Sequence, residues 1–275
     1  FMGEEDVQKG IDILEENNVP DFQDPVDAVK TLKAMNQYRE FLKTDREFKE
    51  IDYDKEKARE ALKNYSGYED GHQLFEAYGF DLPRTKVENE IEPAQKAGAK
   101  VGYPAALKID SPDITHKSDI GAVKTGIEGR EELKKNFKKI VNNAKQNTDN
   151  QINGVVIQEM IDGIEVALGM KRDPQFGPMI LIGLGGIYIE ALHDISFGIA
   201  PISEEEAEEM INELKSSELF EGVRGEESHM EPVKDAIIRL GQLAINPEEI
   251  QEIDINPLIV KEDTGYVADI EIELN

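Results

Sequence analysis

Between residues 154 and 186 the chain reads GVVIQEMI, EVALGMKRD and GPMILIGLGG, three apolar runs in quick succession. Runs this short, rich in Val, Ile and Leu and parted by glycine or aspartate, predict strands. Helix-period segments flank them. EELKKNFKKIVNNAKQ (131–146) puts Leu133, Phe137, Ile140, Val141 and Ala144 on one face. SEEEAEEMINELK opens on an N-cap at Ser203 with acids in its first turn, where they suit the helix dipole. EPVKDAIIRLGQLAI predicts a further helix, and GHQLFEAYGFDLP a helix and turn. GYPAALKID predicts a strand carrying a lysine, and IQEIDINPLIVKEDTGYVADIEIEL a terminal hairpin turning at 262–265. A chain of this pattern has to pack helices against sheet.

The first 43 residues predict helix, strand, helix. Val7, Ile11 and Leu14 recur at helical spacing until Asn17-Asn18, and VPDF (19–22) reads as a short strand. Asp24-Pro25 opens a second helix with Val26, Val29, Leu32 and Met35 on one face. This is a piece of an open α/β sheet, too small to hold a core alone. Residues 44–65 are dense in charge and read as a linker with one solvated helix, with the domain boundary there. The start Phe-Met-Gly is expected to mark a point partway into a longer protein, or a processing scar.

Composition narrows the function. With no cysteine, disulfides, thiolate zinc sites and a cysteine nucleophile are excluded, which fits a reducing, cytoplasmic interior. No apolar run approaches the roughly 20 residues of a membrane span, and no signal peptide is visible, so no membrane partner is expected. Asp and Glu number 58 against 31 Lys and Arg, a net charge of -27. Such a surface repels phosphate backbones, so no nucleic-acid partner is expected. Spread along the whole chain, the charge reads as a halophile-like solubility device suited to a salty cytoplasm. An acidic protein that binds ATP must concentrate its few basic residues at the phosphates.

Several residues could carry chemistry. Asp254 and Asn256 sit two apart on a strand and face one side, and a turn near 262–265 brings Asp269 across from Asn256. Converging oxygens of this kind suit Mg²⁺, though the pattern also suits a strand end with polar turn residues. Lys108 closes an apolar strand, either as a strand-edge lysine or as an amine held against a nucleotide phosphate. Gly183, Gly185 and Gly186 either admit a ligand close to the backbone or form an ordinary turn. Glu159 and Glu165 are unremarkable singly. Together they could offer a backbone hinge at Glu159–Met160 for adenine and a carboxylate for ribose hydroxyls. His116, in SPDITHKSDIGAV, is by itself a solvated loop residue.

The order of these features resembles the ATP-grasp fold: strand lysine, then QEM, then ExALGM, then DINPL with a following aspartate. GYPAALKIDSPDITHKSDIGAV, RDPQFGPMILIGLGGIYIE, GVRGE and EIDINPLIV together resemble the ATP-grasp region of ADP-forming acetyl-CoA (acyl-CoA) synthetases, the acetate–CoA ligases related to succinyl-CoA synthetase. The resemblance covers 66–272. It implies an α+β ATP-grasp fold, two α+β subdomains around the nucleotide, for 66–275. Residues 1–43 would be the C-terminal piece of a flavodoxin-like CoA-ligase domain, a partial α/β segment. The implied reaction is acyl-CoA + ADP + Pi ⇌ carboxylic acid + CoA + ATP, with a mobile-loop histidine carrying the phosphoryl group. In the family's HKSD position stands His116, which suits a nucleophilic carrier. Lys108 matches the phosphate lysine, Glu159, Met160 and Glu165 the hinge and ribose positions, and Asn256 and Asp269 the Mg²⁺ ligands. Asp254 would orient His116 or bind metal, and Arg224 in GVRG would clamp phosphate. Mg²⁺ is the implied cofactor, with ATP and ADP as substrates. The implied partner is a CoA-binding and ligase domain or subunit carrying the first phosphohistidine, with an oligomer expected.

Three departures stand out. Ala122 follows Gly121 where the family has a second glycine, which would stiffen the loop. Gly198 stands where the family often has arginine, removing a charge that served a phosphate or a structural pair. No CoA-binding domain lies within these residues. The rival readings are another ATP-grasp ligase with an acyl-phosphate intermediate, and a non-catalytic nucleotide-binding regulatory module like that fused to some protein acetyltransferases.

Overall fold

A computed structural model describes residues 4–22, 24–43, 47–63, 65–112, 114, 117–147, 151–185, 194–220 and 229–275. The chain divides into two units, Phe1–Glu47 and Phe48–Asn275. No helix among the described residues is long and apolar enough to cross a membrane.

The first unit holds two helices, α1 (Glu4–Glu16) and α2 (Pro25–Lys43). Asp24 caps α2, its carboxylate accepting the Val26 N–H at 2.7 Å. Pro25 takes the first helical position, where a missing N–H costs nothing. The strand expected over residues 19–22 does not form. A strand needs a neighbour to take its N–H and C=O groups, and the described remainder of this unit is helix and turn. Val29, Leu32 and Met35, the expected apolar face of α2, are exposed.

The second unit opens with α3 (Lys55–Lys63) and α4 (Tyr68–Ala77), followed by β1 (Thr85–Glu88), α5 (Ile91–Val101), β2 (Ala105–Asp110) and β3 (Val123–Ile127). Then come α6 (Arg130–Asn147), β4 (Gly154–Glu159), β5 (Ile164–Asp173), β6 (Gly177–Leu184) and β7 (Ile195–Ile199). It closes with α7 (Glu204–Asn212), α8 (Met230–Ile245), β8 (Ile250–Lys261), β9 (Thr264–Val267) and β10 (Ile270–Leu274). The helix expected to be solvated, α3, instead buries Ala58 and Ala61 in the core of this unit. Its charges face water while its two small residues allow close approach. Ser203 forms a full capping box with Glu206 at the start of α7.

Two antiparallel sheets result. The smaller has the order β1-β4-β2-β3, and the larger β10-β8-β5-β6-β7, with β9 added on β8. Each has its own core. Leu107, Ile109, Leu133, Phe137, Ile140 and Ile157 pack beneath the small sheet. Leu74, Phe75, Leu168, Met170, Ile182, Ile237 and Ile255 pack beneath the large one. Strand alternation then decides which side chains face away from these cores. On β2, Leu107 and Ile109 enter the small core, so Lys108 projects from the opposite face. On β8, Ile253 and Ile255 enter the large core, so Asp254 and Asn256 project together from the other.

Candidate functional site

The two sheets meet at the break between β9 and β10. Lys108 Nζ donates to the Ala268 carbonyl at 2.8 Å and lies 3.5 Å from Asp269 Oδ1. The Gln158 amide, one strand over, donates to the same carbonyl at 2.9 Å and to the Tyr68 hydroxyl at 2.8 Å. Lys108 is buried. Burial pushes its pKa below the ordinary lysine value, Asp269 pulls it back, and Lys117 pushes it down again.

Asp269 sits where the hairpin register requires. Val267 pairs with Leu258 and Ile270 with Ile255, so the return strand keeps one register across its break and residue 269 falls opposite 256. Glu271 pairs with Asp254. A cavity of about 180 Å³ opens here, lined by Lys117, Ser118, Asp119, Asp254, Asn256 and Asp269 among others. Asp254 is exposed as a residue, and it lines this cavity. Burial first, then Glu271, Asp269 and Glu252, push its pKa up to about 6. Lys117 Nζ pairs with Glu271 Oε1 at 2.7 Å. Burial works against the Lys117 charge, but Asp269, Glu271 and Asp110 outweigh it and raise the pKa.

No group of three or more His, Asp or Glu side chains among the described residues could hold a metal. The residues expected to hold Mg²⁺ offer two donors, the Asn256 amide oxygen and the Asp269 carboxylate. Asp269 Oδ1 is buried and accepts no hydrogen bond, so a hard oxygen is left with spare capacity. This suits Mg²⁺, which takes few protein oxygens and fills its shell with phosphates and water.

The expected hinge residues lie farther along the strands. Glu159 ends β4 three residues from Val156, the partner of Lys108, which is about 10 Å of strand. Its carboxylate is held by Arg84, from Nε at 2.8 Å and Nη2 at 2.6 Å. The Glu159 carboxylate is thus taken up by Arg84, which leaves its backbone free of that pairing. The sulfur of Met160 accepts the Gly126 N–H at 3.0 Å, tying the hinge to β3. Glu165 is exposed, and its carbonyl accepts the Gly185 N–H at 2.9 Å. A Cβ at Gly185 would stand 3.0 Å from the Glu165 carbonyl carbon, so this glycine answers to a close backbone approach. Gly183 pairs with Ala167 within the sheet. Gly186, Arg224 and His116 lie outside the described residues.

A family model described as an ATP-grasp domain matches residues 56–274. The beta subunit of an ADP-forming acetate–CoA ligase I from Pyrococcus furiosus is 44% identical over 200 residues, covering 72% of this chain and 86% of that subunit.

The chain is an ATP-grasp protein of the ADP-forming acetate–CoA ligase family.

A second ATP-grasp relative, acetate–CoA ligase [ADP-forming] I of Archaeoglobus fulgidus, is 37% identical over 285 residues. That match covers all of this chain and 42% of the relative, so the chain spans less than half of that enzyme's length. Among solved ATP-grasp structures, the acetyl-coenzyme A synthetase 1 of Ca. Korarchaeum cryptofilum matches with a TM-score of 0.67 and 35% identity. The match covers 79% of this chain and 100% of that one, in a complex with coenzyme A and Mg-AMPPCP whose phosphohistidine segment points towards the nucleotide binding site.

The two local departures expected from the sequence, at Ala122 and Gly198, have structural answers. Gly121 adopts φ 64°, the left-handed region, while Ala122 does not. Ala122 is fully buried in the small core, and its N–H donates to the Lys117 carbonyl at 2.8 Å. The turn thus needs glycine at 121 and packing at 122. We expect Gly121→Ala to cost about 1 kcal/mol in denaturant melts, since the backbone is strained and Asn143 Nδ2 lies 2.9 Å from the added Cβ. An unchanged midpoint would show that the turn relaxes freely. Gly198 pairs with the buried Ile180, and a Cβ there would meet Ile202 and Met210 at 2.7 Å. It belongs to the core face, opposite Asp254, so a side chain at this position would project away from Asn256 and Asp269.

Proposed function

We propose that this chain is the nucleotide-binding and phosphoryl-transfer part of an ADP-forming acyl-CoA synthetase. The whole enzyme would interconvert acyl-CoA, ADP and phosphate with carboxylic acid, CoA and ATP. One observation carries the reading: Lys108 of one sheet and Asp269 of the other meet at 3.5 Å, beside a cavity that Lys117, the neighbour of His116, also lines. Residues 1–43 would belong to the ligase domain that precedes the ATP-grasp region. The match of the whole chain to the longer Archaeoglobus relative supports this, as does the shorter match to the Pyrococcus beta subunit.

Adenine would sit at the Glu159–Met160 backbone, ribose at Glu165, and the phosphates beside Lys108 and Arg224. Asn256 and Asp269 would hold Mg²⁺, which spreads the negative charge of the transferring phosphoryl group. In the direction of ATP use, a neutral His116 nitrogen forms a bond to the γ-phosphorus as the bond to the β,γ-bridging oxygen breaks, and ADP leaves. Asp254 would accept the N–H of the imidazole and hold the reactive nitrogen towards phosphorus. The phosphohistidine then delivers its group to a histidine on the CoA-binding partner. Synthesis of ATP is the reverse.

The chain incubated with γ-labelled ATP and Mg²⁺ should acquire label that is acid-labile and base-stable. Absence of label, even with the CoA-binding partner added, would sink the shuttle.

A further inference from the structure

On β4, Val155 and Ile157 enter the small core, so Gln158 projects from the opposite face, the one from which Lys108 projects on β2. A polar side chain that is only 2% exposed has to find its partners there. The Gln158 amide donates to the Ala268 carbonyl at 2.9 Å and to the Tyr68 hydroxyl at 2.8 Å. A carbonyl only accepts, which fixes the amide nitrogen towards Ala268. Tyr68 is held in turn. Its backbone N–H donates to Asp110 Oδ1 at 3.1 Å, and burial keeps its phenol protonated by pushing the pKa above the usual tyrosine value. Ala268 and Asp269 make up the break between β9 and β10. On one side the break is tied by the Val267 N–H to the Asp81 carbonyl at 2.9 Å, and by the Ala268 N–H to the Pro257 carbonyl at 3.0 Å. The Ala268 carbonyl ties it to the small sheet, accepting from both Gln158 and Lys108 with its two lone pairs. Asp269 Oδ1 accepts no hydrogen bond, so the aim of this carboxylate rests on the peptide before it and on Lys108 at 3.5 Å.

We propose that Gln158, backed by Tyr68, is a positioning residue: it fixes the Ala268 carbonyl and so aims the Asp269 carboxylate at a divalent cation shared with Asn256. This rests on the functional reading above. Of the two donors at that carbonyl, Lys108 is the one that would also serve phosphate, and Gln158 is the one whose partners all lie within the protein. When the amine turns to phosphate, the carbonyl keeps its amide. An uncharged donor suits this post, because it holds a carbonyl without adding charge beside the metal or competing for phosphate. Mg²⁺ holds its ligands to near-octahedral geometry, so a small swing of one carboxylate is felt as lost affinity.

The test uses the full chain, with Gln158→Met, Tyr68→Phe, the two combined, and Asp269→Asn as the control that removes the ligand charge. Methionine matches glutamine in length, so packing changes little. Three quantities are read in parallel: Mn²⁺ affinity in saturating ADP by paramagnetic resonance, ADP affinity without metal, and hydrogen exchange at the Ala268 amide. In Gln158→Met we expect about tenfold weaker Mn²⁺ binding, metal-free ADP affinity within about twofold of the parent, and faster exchange. Tyr68→Phe should weaken Mn²⁺ binding by about threefold, and should add nothing to Gln158→Met, because it acts through that side chain. Mn²⁺ affinity and exchange both at parental values in Gln158→Met would overturn the proposal. So would a metal-free ADP loss equal to the Mn²⁺ loss, since the residue would then belong to nucleotide binding. A further loss in the combined variant would remove Tyr68 from the arrangement. Mn²⁺ binding that Asp269→Asn leaves untouched defeats the functional reading instead, and exchange at Ala268 then decides whether Gln158 holds the break.

Discussion

On the proposed function, His116→Asn should abolish the acid-labile label from γ-labelled ATP and lower acid-dependent ATP turnover of the assembled enzyme by about three orders of magnitude or more. Asparagine keeps a polar side chain of similar reach but has no nucleophilic nitrogen near neutral pH, so the N–P bond cannot form. Nothing else in the chain is substituted. Lys108, Asn256 and Asp269 remain, and Mg·ADP should bind within about twofold of the parent. A variant that is inactive and still binds nucleotide has lost a covalent step, whereas loss of both would point to misfolding. Label persisting at parental levels in His116→Asn would move the carrier elsewhere. Full activity without label would favour an ATP-grasp ligase that uses a plain acyl phosphate.

Lys108→Met should be costly in two ways that a second substitution separates. The methionine fills much the same volume, so packing is nearly conserved. What it removes is the only cation within 4.0 Å of Asp269 among the described residues, and one of the two donors to the Ala268 carbonyl. Gln158 still satisfies that carbonyl. Asp269 Oδ1, buried and with no hydrogen bond of its own, is left with the more distant Lys117 as its compensating cation. Breaking a buried pair in this way costs about 3 kcal/mol, read as a lower urea midpoint at constant m. Adding Asp269→Asn removes the Asp269 charge, and the double variant should recover most of that stability. Phosphoryl transfer should stay down by about two to three orders of magnitude in both, because the phosphate cation is absent from each. Strictly additive losses would show that the two residues do not act as a pair. Recovery of activity in the double variant would remove Lys108 from the phosphate site.

Much of this site can be read along the chain because its geometry is local. Asp254 and Asn256 share a face since strands alternate, and Asp269 meets Asn256 because the turn at 262–263 sets one register for both β9 and β10. Gly198 misleads because its neighbours in sequence do not reveal which face of β7 it occupies. The pairing with Ile180 does, and it places residue 198 on the core side. Arg84 escapes notice for a similar reason. Nothing between residues 84 and 159 announces that a guanidinium will hold the hinge carboxylate, since the contact exists only once β1 lies beside β4. The helix α5 is also easy to overlook. Its Pro93 and Gly98 are weak helix formers, but a Cβ at Gly98 would stand 2.6 Å from Leu133 Cδ1, and the small residues are what let α5 approach α6.

The sequence by itself therefore determined most elements of the second unit, the faces of β2 and β8, and the residue types offered for phosphate and metal chemistry. Periodicity and turn geometry act over a few residues, and the chain displays them directly. Only the tertiary structure decided which faces meet. The Lys108 amine finds its carbonyl 160 residues away at Ala268, and Lys117 finds its carboxylate 154 residues away at Glu271. Those meetings follow from two separate cores, each burying its own apolar face, which leaves the opposite polar faces to close on one another across the junction.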